Sequence, residues 1–242
     1  MICLSFDTDH LDEARMAEFT AEVPLPGACT FFCTQRYEGL DPSAHELCAH
    51  PDLRPGVQWG EELDRARADF PDAVGFRGHA APSSHALSME LQSRGYEWTS
   101  AREEPGRPNV APFREAWGIW HAPVFYMDNM DFSFADFWPG VEHTPFDRTL
   151  LETAVGGAGT YVFDFHPIHL LLNSRSAPAY LERREAFLAG EALSELRFDG
   201  YGAWDFYGDL LALMTEAGES SVTISDAVAT AAGESASPAR RA

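Results

Sequence analysis

Short apolar segments alternate with longer amphipathic segments along most of this 242-residue chain. This alternation predicts an α/β fold with a parallel sheet, because each parallel connection needs a crossover that is usually a helix. The expected strands or extended segments are residues 1–6, 30–32, 45–49, 73–77, 96–100, 118–127 and 160–165. The expected helices are residues 11–23, 58–70, 84–94, 146–155, 179–189 and 203–217.

A set of about seven strands favours a distorted parallel (β/α) barrel over an open sheet. A dinucleotide-binding fold is disfavoured, because no G-x-G-x-x-G motif follows the first strand. We find no internal repeat and no clear domain boundary. Residues 1–220 are therefore predicted to form one barrel domain, followed by a C-terminal segment at 221–242 that is disordered towards its end.

The composition excludes several classes of function. A net charge of −21 argues against binding to nucleic acids and to anionic membranes. The chain has no lysine, which excludes Schiff-base, pyridoxal-phosphate and P-loop chemistry. No signal peptide is recognised and no apolar stretch approaches the ~20 residues of a membrane helix, so a cytoplasmic location is expected. The cysteine spacing does not match a zinc knuckle, and we expect buried free thiols at Cys3, Cys29, Cys33 and Cys48.

Acidic, basic and imidazole side chains follow the predicted strands where each strand ends. The C-terminal ends of the strands form the active-site face of a parallel barrel, so these side chains should lie close together. The segment LSFDTDH ends the first strand with Asp7 and Asp9, whose alternate spacing places both on one face. The other candidates are His50 after HELCA, Arg77 and His79 in GFRGH, His121 and Asp128 around the extended segment, and His166 and His169 in DFHPIH.

Histidine and aspartate with an arginine nearby suit a divalent metal that activates water. One aspartate would act as base and the other as ligand, while a histidine protonates the leaving group. Each residue also has a structural explanation. Asp9 or Asp12 could cap the following helix, and Arg77 could be a simple ion-pair partner. A shared site is favoured, because nearly every predicted strand ends in such a residue.

In this order, the segments resemble the motifs of the NodB-homology polysaccharide deacetylases, carbohydrate esterase family 4. LSFDTD resembles the T-F-D-D strand of the family, and CTFFCT resembles A-T-F-F. HELCAHP resembles E-I-x-x-H, GFRGH resembles F-R-x-P, and FDFHP resembles the late L-x-H motif. The resemblance covers about residues 2–220 and is closer still to the WbmS-like branch, which is found among surface-polysaccharide genes.

The resemblance implies a distorted seven-stranded barrel that hydrolyses an amide C–N bond with one divalent metal. Zinc is the first expectation, with cobalt, nickel or iron as alternatives. By this resemblance Asp7 would be the general base, oriented by Arg77, and His166 would be the general acid. Asp9 and His50 would be metal ligands. The implied substrate is an N-acylated amino sugar of surface-polysaccharide metabolism, for example in a nucleotide- or lipid-linked precursor.

Two departures from the family pattern leave one metal ligand open. Thr8 separates the two aspartates, which are usually adjacent, and Arg54 stands where the second motif usually has another histidine. We predict His79 as the substitute ligand, because it ends the next strand. Three other histidines are weaker alternatives for this position: His10, His45 and His169.

The expected partner is a small-molecule or glycan substrate, and a homo-oligomer is compatible with the sequence. Predicted substrate-binding residues are His121, Asp128 and His169. Two other functions stay open. One is opening of a ureide or hydrolysis of a formamide in the same barrel. The other is a non-catalytic sugar-binding barrel, which the arginine at position 54 supports.

Overall fold

A nine-stranded sheet forms the centre of the computed structural model, which describes residues 1–54, 56–116 and 118–233. The strands are β1 (Ile2–Asp7), β2 (Thr30–Cys33), β3 (Glu46–Ala49), β4 (Gly75–Phe76), β5 (Trp98–Thr99), β6 (Phe113–Arg114), β7 (Trp120–His121), β8 (Val124–Met127) and β9 (Tyr161–Phe165). Their order is β6-β7-β5-β4-β3-β2-β1-β9-β8. All neighbours are parallel except β6 and β7, which are antiparallel.

Seven of these strands, from β8 through β9, β1, β2, β3 and β4 to β5, form a curled parallel sheet. The segment that follows β5 bridges the gap to β8. The Val124 amide donates to the Arg102 carbonyl at 2.9 Å, and the Glu104 amide donates to the Val124 carbonyl at 2.8 Å. The predicted distorted α/β barrel of about seven strands is therefore confirmed. The β6–β7 pair is an addition: the predicted extended segment 118–127 divides into β7 and β8 on either side of Pro123, and β6 lies before that segment.

Helices connect the strands and cover the sheet. They are α1 (Glu13–Glu22), α2 (Trp59–Asp69), α3 (His85–Ser93), α4 (Asp128–Phe132), α5 (Phe134–Phe137), α6 (Arg148–Ala154), α7 (Pro167–Leu172), α8 (Ala177–Leu188), α9 (Leu193–Leu196), α10 (Ala203–Ala217) and α11 (Ile224–Ala231). All six predicted helices are present with ends within two residues of those expected. The sequence did not indicate α7, because all six of its residues are buried and no amphipathic period exists.

The residues of β1 alternate between two environments. Leu4 and Phe6 pack in the large core between the sheet and its helices. Cys3 faces the other way, into a smaller apolar cluster with Phe32 and Trp98. Side chains of the non-adjacent strands β2 and β5 meet in this cluster, so it lies on the inner face of the curl. Because alternate residues share a face, Ser5 and Asp7 continue this inner face towards the site.

The described part of the C-terminal segment packs against the barrel. The Val222 amide donates to the Ile2 carbonyl at 3.1 Å, and Ile224 and Val228 of α11 join the inner apolar cluster. The predicted disordered end falls on residues 234–242, which lie outside the described residues. All four cysteines are buried and free, as predicted. Among the described helices, none has the length and apolarity needed to cross a membrane.

Candidate active site

A cavity of about 630 Å³ opens where the parallel strands end. Asp9 follows β1 by two residues, His50 follows β3 directly, His79 follows β4 by three residues and His166 follows β9 directly. All four line the cavity. The structure thus brings together residues that are far apart in the sequence, because the C-terminal ends of parallel strands share one edge of the sheet.

Asp9 lies at the centre of three imidazoles. Its Oδ2 is 3.2 Å from His50 Nε2 and 3.8 Å from His166 Nε2, and its Oδ1 is 3.0 Å from His79 Nδ1. Burial would raise the pKa of the Asp9 carboxyl, but the three imidazoles outweigh burial and hold the pKa well below its usual range. Asp12, not Asp9, caps α1, since its side chain accepts from the Arg15 amide at 2.8 Å. Asp9 is therefore available to the site.

The orientation of His50 is set by the backbone. Its Nδ1 is 3.0 Å from the Arg77 carbonyl oxygen, which can only accept, so Nδ1 carries the hydrogen and donates. His50 Nε2 then faces Asp9 as the other ring nitrogen, with a lone pair when the ring is neutral. Such a backbone partner is the usual way in which a metal-binding imidazole is oriented.

Left-handed backbone follows two of the residues around this cluster. His10, directly after Asp9, has φ 64°, and Ala80 and Ala81, directly after His79, have φ 60° and 46°. Residues with a Cβ adopt this conformation at an energetic cost, and such strain clusters at functional sites. The surrounding fold therefore holds Asp9 and His79 in place against local preference.

Arg77 is completely buried beside this cluster. Its Nη1 donates to Asp7 Oδ1 at 2.8 Å and to Asp164 Oδ1, and its Nη2 donates to Ser100 Oγ at 2.8 Å. The guanidinium also lies 4.1 Å from the centre of the Phe32 ring. One cation thus holds two carboxylates and is itself held from several strands, so Asp7 is fixed in orientation.

Sequence reasoning missed Asp164. It is completely buried, accepts from Ser5 Oγ at 2.6 Å, and has one oxygen, Oδ2, without a hydrogen-bond partner in the described structure. Burial, opposed by Arg77, and repulsion from Asp7 raise the pKa of Asp164 to about 7. A carboxylate inside the apolar run YVFDF was the available signal, since a buried charge needs a cation.

His166 and His169 both face Asp128, which is completely buried behind them. His166 Nδ1 donates to Asp128 Oδ1 at 2.8 Å, and the His166 amide donates to Asp128 Oδ2 at 2.9 Å. His169 Nδ1 is 3.1 Å from Asp128 Oδ1. Burial lowers the pKa of His166, but the charge and hydrogen bond of Asp128 outweigh it and raise that pKa to about 10. Burial lowers the pKa of His169.

The other sequence candidates occupy different places. His169 lines the cavity, whereas Asp128, predicted to bind substrate, is enclosed behind the imidazoles. His121 lies outside the lining of the cavity, with Nε2 2.9 Å from Glu115 Oε1. Of the alternatives to His79, His10 lines the cavity, while His45 accepts from the Cys29 amide at 3.3 Å away from the site. The guanidinium at position 54 pairs with Asp52 at the mouth.

Three groups among the described residues could hold a metal ion, each with ligand atoms within 4.8 Å of one another. They are Asp9 with His50 and His79, Asp128 with His166 and His169, and Asp7 with Asp9 and His166. Two imidazoles and one carboxylate form a ligand set typical of zinc and related divalent ions. The first group fits best, because a carbonyl orients His50, whereas His166, which the other two groups share, already donates through Nδ1 to Asp128.

A protein family and a solved structure resemble this chain. The model of the WbmS-like polysaccharide deacetylase family matches residues 4–184, whereas no curated protein sequence matches the chain. A crystal structure of a proposed polysaccharide deacetylase involved in O-antigen biosynthesis, WbmS of Bordetella bronchiseptica, has a TM-score of 0.69 at 22% identity and covers 87% of this chain and 89% of that chain. A proposed polysaccharide deacetylase of Mycobacterium smegmatis has a TM-score of 0.47 at 17% identity, covering 87% of this chain and 90% of that one. The family model spans well over half of the sequence, so this chain belongs to the WbmS-like polysaccharide deacetylase family.

Proposed function

We propose that the protein is a metal-dependent hydrolase that removes the acyl group of an N-acylated amino sugar during surface-polysaccharide biosynthesis. One observation carries this proposal: the Asp9–His50–His79 group lines a single cavity and has the Arg77-bound Asp7 and the Asp128-bound His166 beside it. Membership of the family supports deacetylation. The O-antigen role stated for WbmS supports a surface polysaccharide as the pathway product.

Asp9, His50 and His79 would hold the metal, for which zinc is our first expectation. A divalent ion there would polarise the acyl carbonyl and lower the pKa of a water molecule. Contacts within the protein set the charge of Asp9 and the orientation of His50 before a metal binds. Asp9 is kept ionised, and His50 presents Nε2 because its Nδ1 donates to a carbonyl.

Asp7 would take the proton of the attacking water. Its Oδ1 is occupied by Arg77 Nη1 at 2.8 Å, which leaves Oδ2 as the oxygen that can accept. Asp7 Oδ2 is 3.7 Å from His50 Nε2, so it lies beside the metal group. The buried Arg77 guanidinium also fixes the orientation of Asp7, which a positioned base requires.

His166 would donate a proton to the leaving amine. Its Nδ1 donates to Asp128, so Nε2 is the ring nitrogen that faces Asp9 and the cavity. Asp7 and His166 thus reach the metal group from the neighbouring strands β1 and β9, one as the base and the other as the acid for the same carbonyl.

Metal analysis and an acetate-release assay on N-acetylated sugars and oligosaccharides test the proposal. We expect about one divalent metal per chain in the wild type, and loss of metal and activity in His79→Ala. The matched control is His45→Ala, which removes an imidazole outside the metal group and should keep both properties. Asp7→Asn should keep the metal and lose turnover. The mechanism is wrong if Asp7→Asn turns over normally or if the wild type binds no metal.

The geometry does not favour the alternative of a non-catalytic barrel. The arginine at position 54 suggested a missing ligand, but His79 offers an imidazole 3.0 Å from Asp9 Oδ1. If the protein acts on a small ureide or formamide and not on N-acylated sugars, the proposed substrate is wrong. The roles proposed for the metal group, Asp7 and His166 would still apply.

A further inference from the structure

The mouth of the cavity carries a charge opposite to that of the chain. The protein has 38 acidic and 17 basic residues, yet three arginines and two aspartates are among the described residues that line the cavity. The arginines are Arg54, Arg65 and Arg184. Of the two aspartates, Asp9 belongs to the metal group on the floor, which leaves only Asp52 beside the arginines.

The three arginines come from separate elements. Arg54 lies in the loop after β3, Arg65 on α2 and Arg184 on α8. Their side chains are 61%, 66% and 34% exposed, so their charged ends are accessible to a ligand that enters the cavity. A ligand reaching the metal group therefore passes a mouth lined by guanidinium groups from three separate elements.

The present partners of Arg65 and Arg184 are exchangeable, whereas Arg54 pairs with Asp52, which itself lines the cavity. Arg65 pairs with Glu62, and Arg184 Nη2 lies 2.9 Å from Glu185 Oε1. Neither glutamate lines the cavity. Exposed ion pairs such as these contribute little to stability, so a ligand can replace them at little cost.

We infer that the cavity mouth is a subsite for a phosphate group on the sugar substrate. Guanidinium groups bind phosphate oxygens through paired, charge-assisted hydrogen bonds, and a phosphate has enough oxygens to engage two or three arginines. The substrate would then be a sugar phosphate, sugar nucleotide or lipid-linked sugar phosphate, with its N-acyl group directed at the metal group. This inference rests on the proposed function, since it names the substrate class of the same site.

The test is calorimetric binding to the metal-loaded Asp7→Asn protein, which should bind substrate without consuming it. The probes are N-acetylglucosamine and N-acetylglucosamine 1-phosphate. We expect the phosphorylated sugar to bind at least about tenfold more tightly, and this preference to shrink as salt is raised. Arg65→Ala with Arg184→Ala should abolish the preference and leave binding of the neutral sugar unchanged.

Arg107→Ala is the matched control, because Arg107 is 65% exposed and pairs with a glutamate three residues away, as Arg65 does, but lies outside the cavity lining. The control should keep the preference. Equal binding of the two probes, or a preference that survives the double substitution, would overturn the inference. If the double substitution abolishes the preference, competition by uridine diphosphate or by a short polyprenyl phosphate identifies the source of the phosphate.

The two proposals fail in different ways. If the wild type releases acetate from both probes equally well and binds them equally, the deacetylase stands and the phosphate subsite is wrong. If the phosphorylated probe binds preferentially through the arginines but the wild type releases no acetate, the subsite stands and the proposed reaction is wrong.

Discussion

Replacing Arg77 by methionine tests whether one buried guanidinium holds the two carboxylates beneath the site. Arg77 is completely buried, donates to Asp7 at 2.8 Å and also contacts Asp164. Methionine keeps apolar contact with Phe32 but leaves both carboxylates without their cation. Removing one side of a buried ion pair costs about 3–5 kcal/mol, so we expect the free energy of unfolding to fall by that amount.

Guanidinium chloride denaturation followed by tryptophan fluorescence measures this loss, since the chain has six tryptophans. In a double-mutant cycle, Arg77→Met with Asp164→Asn should lose less than the sum of the single losses, with a coupling of about 1–3 kcal/mol. Arg107→Met, at an exposed pair, should change stability by no more than about 0.5 kcal/mol. A loss below about 1 kcal/mol for Arg77→Met, or additive losses in the cycle, would refute the reasoning.

Two further predictions concern the carboxylates behind the site. Burial raises the pKa of Asp164 to about 7, so the folded protein keeps a proton that the unfolded chain, with a pKa of ~3.9, has lost. The stability contributed by this bound proton is complete below about pH 4 and is lost as the pH rises through about 7. Between about pH 5 and pH 8 the free energy of unfolding, measured by denaturation, should therefore fall more in the wild type than in Asp164→Asn. Equal falls in the two proteins would contradict this. Asp128→Asn removes the charge that orients His166, so we expect kcat to fall about 10–100-fold with metal content unchanged, and a normal kcat would show that Asp128 is not needed.

The barrel was predictable because its strands are short apolar runs separated by well-marked helices. The run before Asp7 and the run before His166 are buried throughout, and each ends where polar residues begin. Periodicity could not indicate α7, which is buried on every side, and could not divide the segment 118–127. The isolated bridge between Glu103 and Val124, which helps to close the curl, depends on tertiary position and leaves no local pattern.

The residues at the strand ends could be predicted to share a site. The side chains that contact them from behind could not be predicted. Asp9, His50, His79 and His166 follow strands, so a parallel sheet must bring them to one edge. The pairing of His166 with Asp128 depends on which strands are neighbours, and β8 and β9 become neighbours only in the folded sheet. His121 is the last residue of a strand, but that strand is β7, which pairs with β5 outside the seven-stranded curl, so this imidazole lies away from the cavity.

The residues proposed to hold the metal are supplied by widely separated parts of the chain. Asp9 and His50 are 41 residues apart in the sequence, and Arg77, which supports the group, contacts Asp164 at a separation of 87 residues. Because its contacts join residues so far apart in the sequence, the group forms only after β1, β3, β4 and β9 have assembled. Bringing such distant segments together is slow. A metal would therefore bind only after these strands have assembled. Metal binding should slow unfolding and leave the refolding rate almost unchanged.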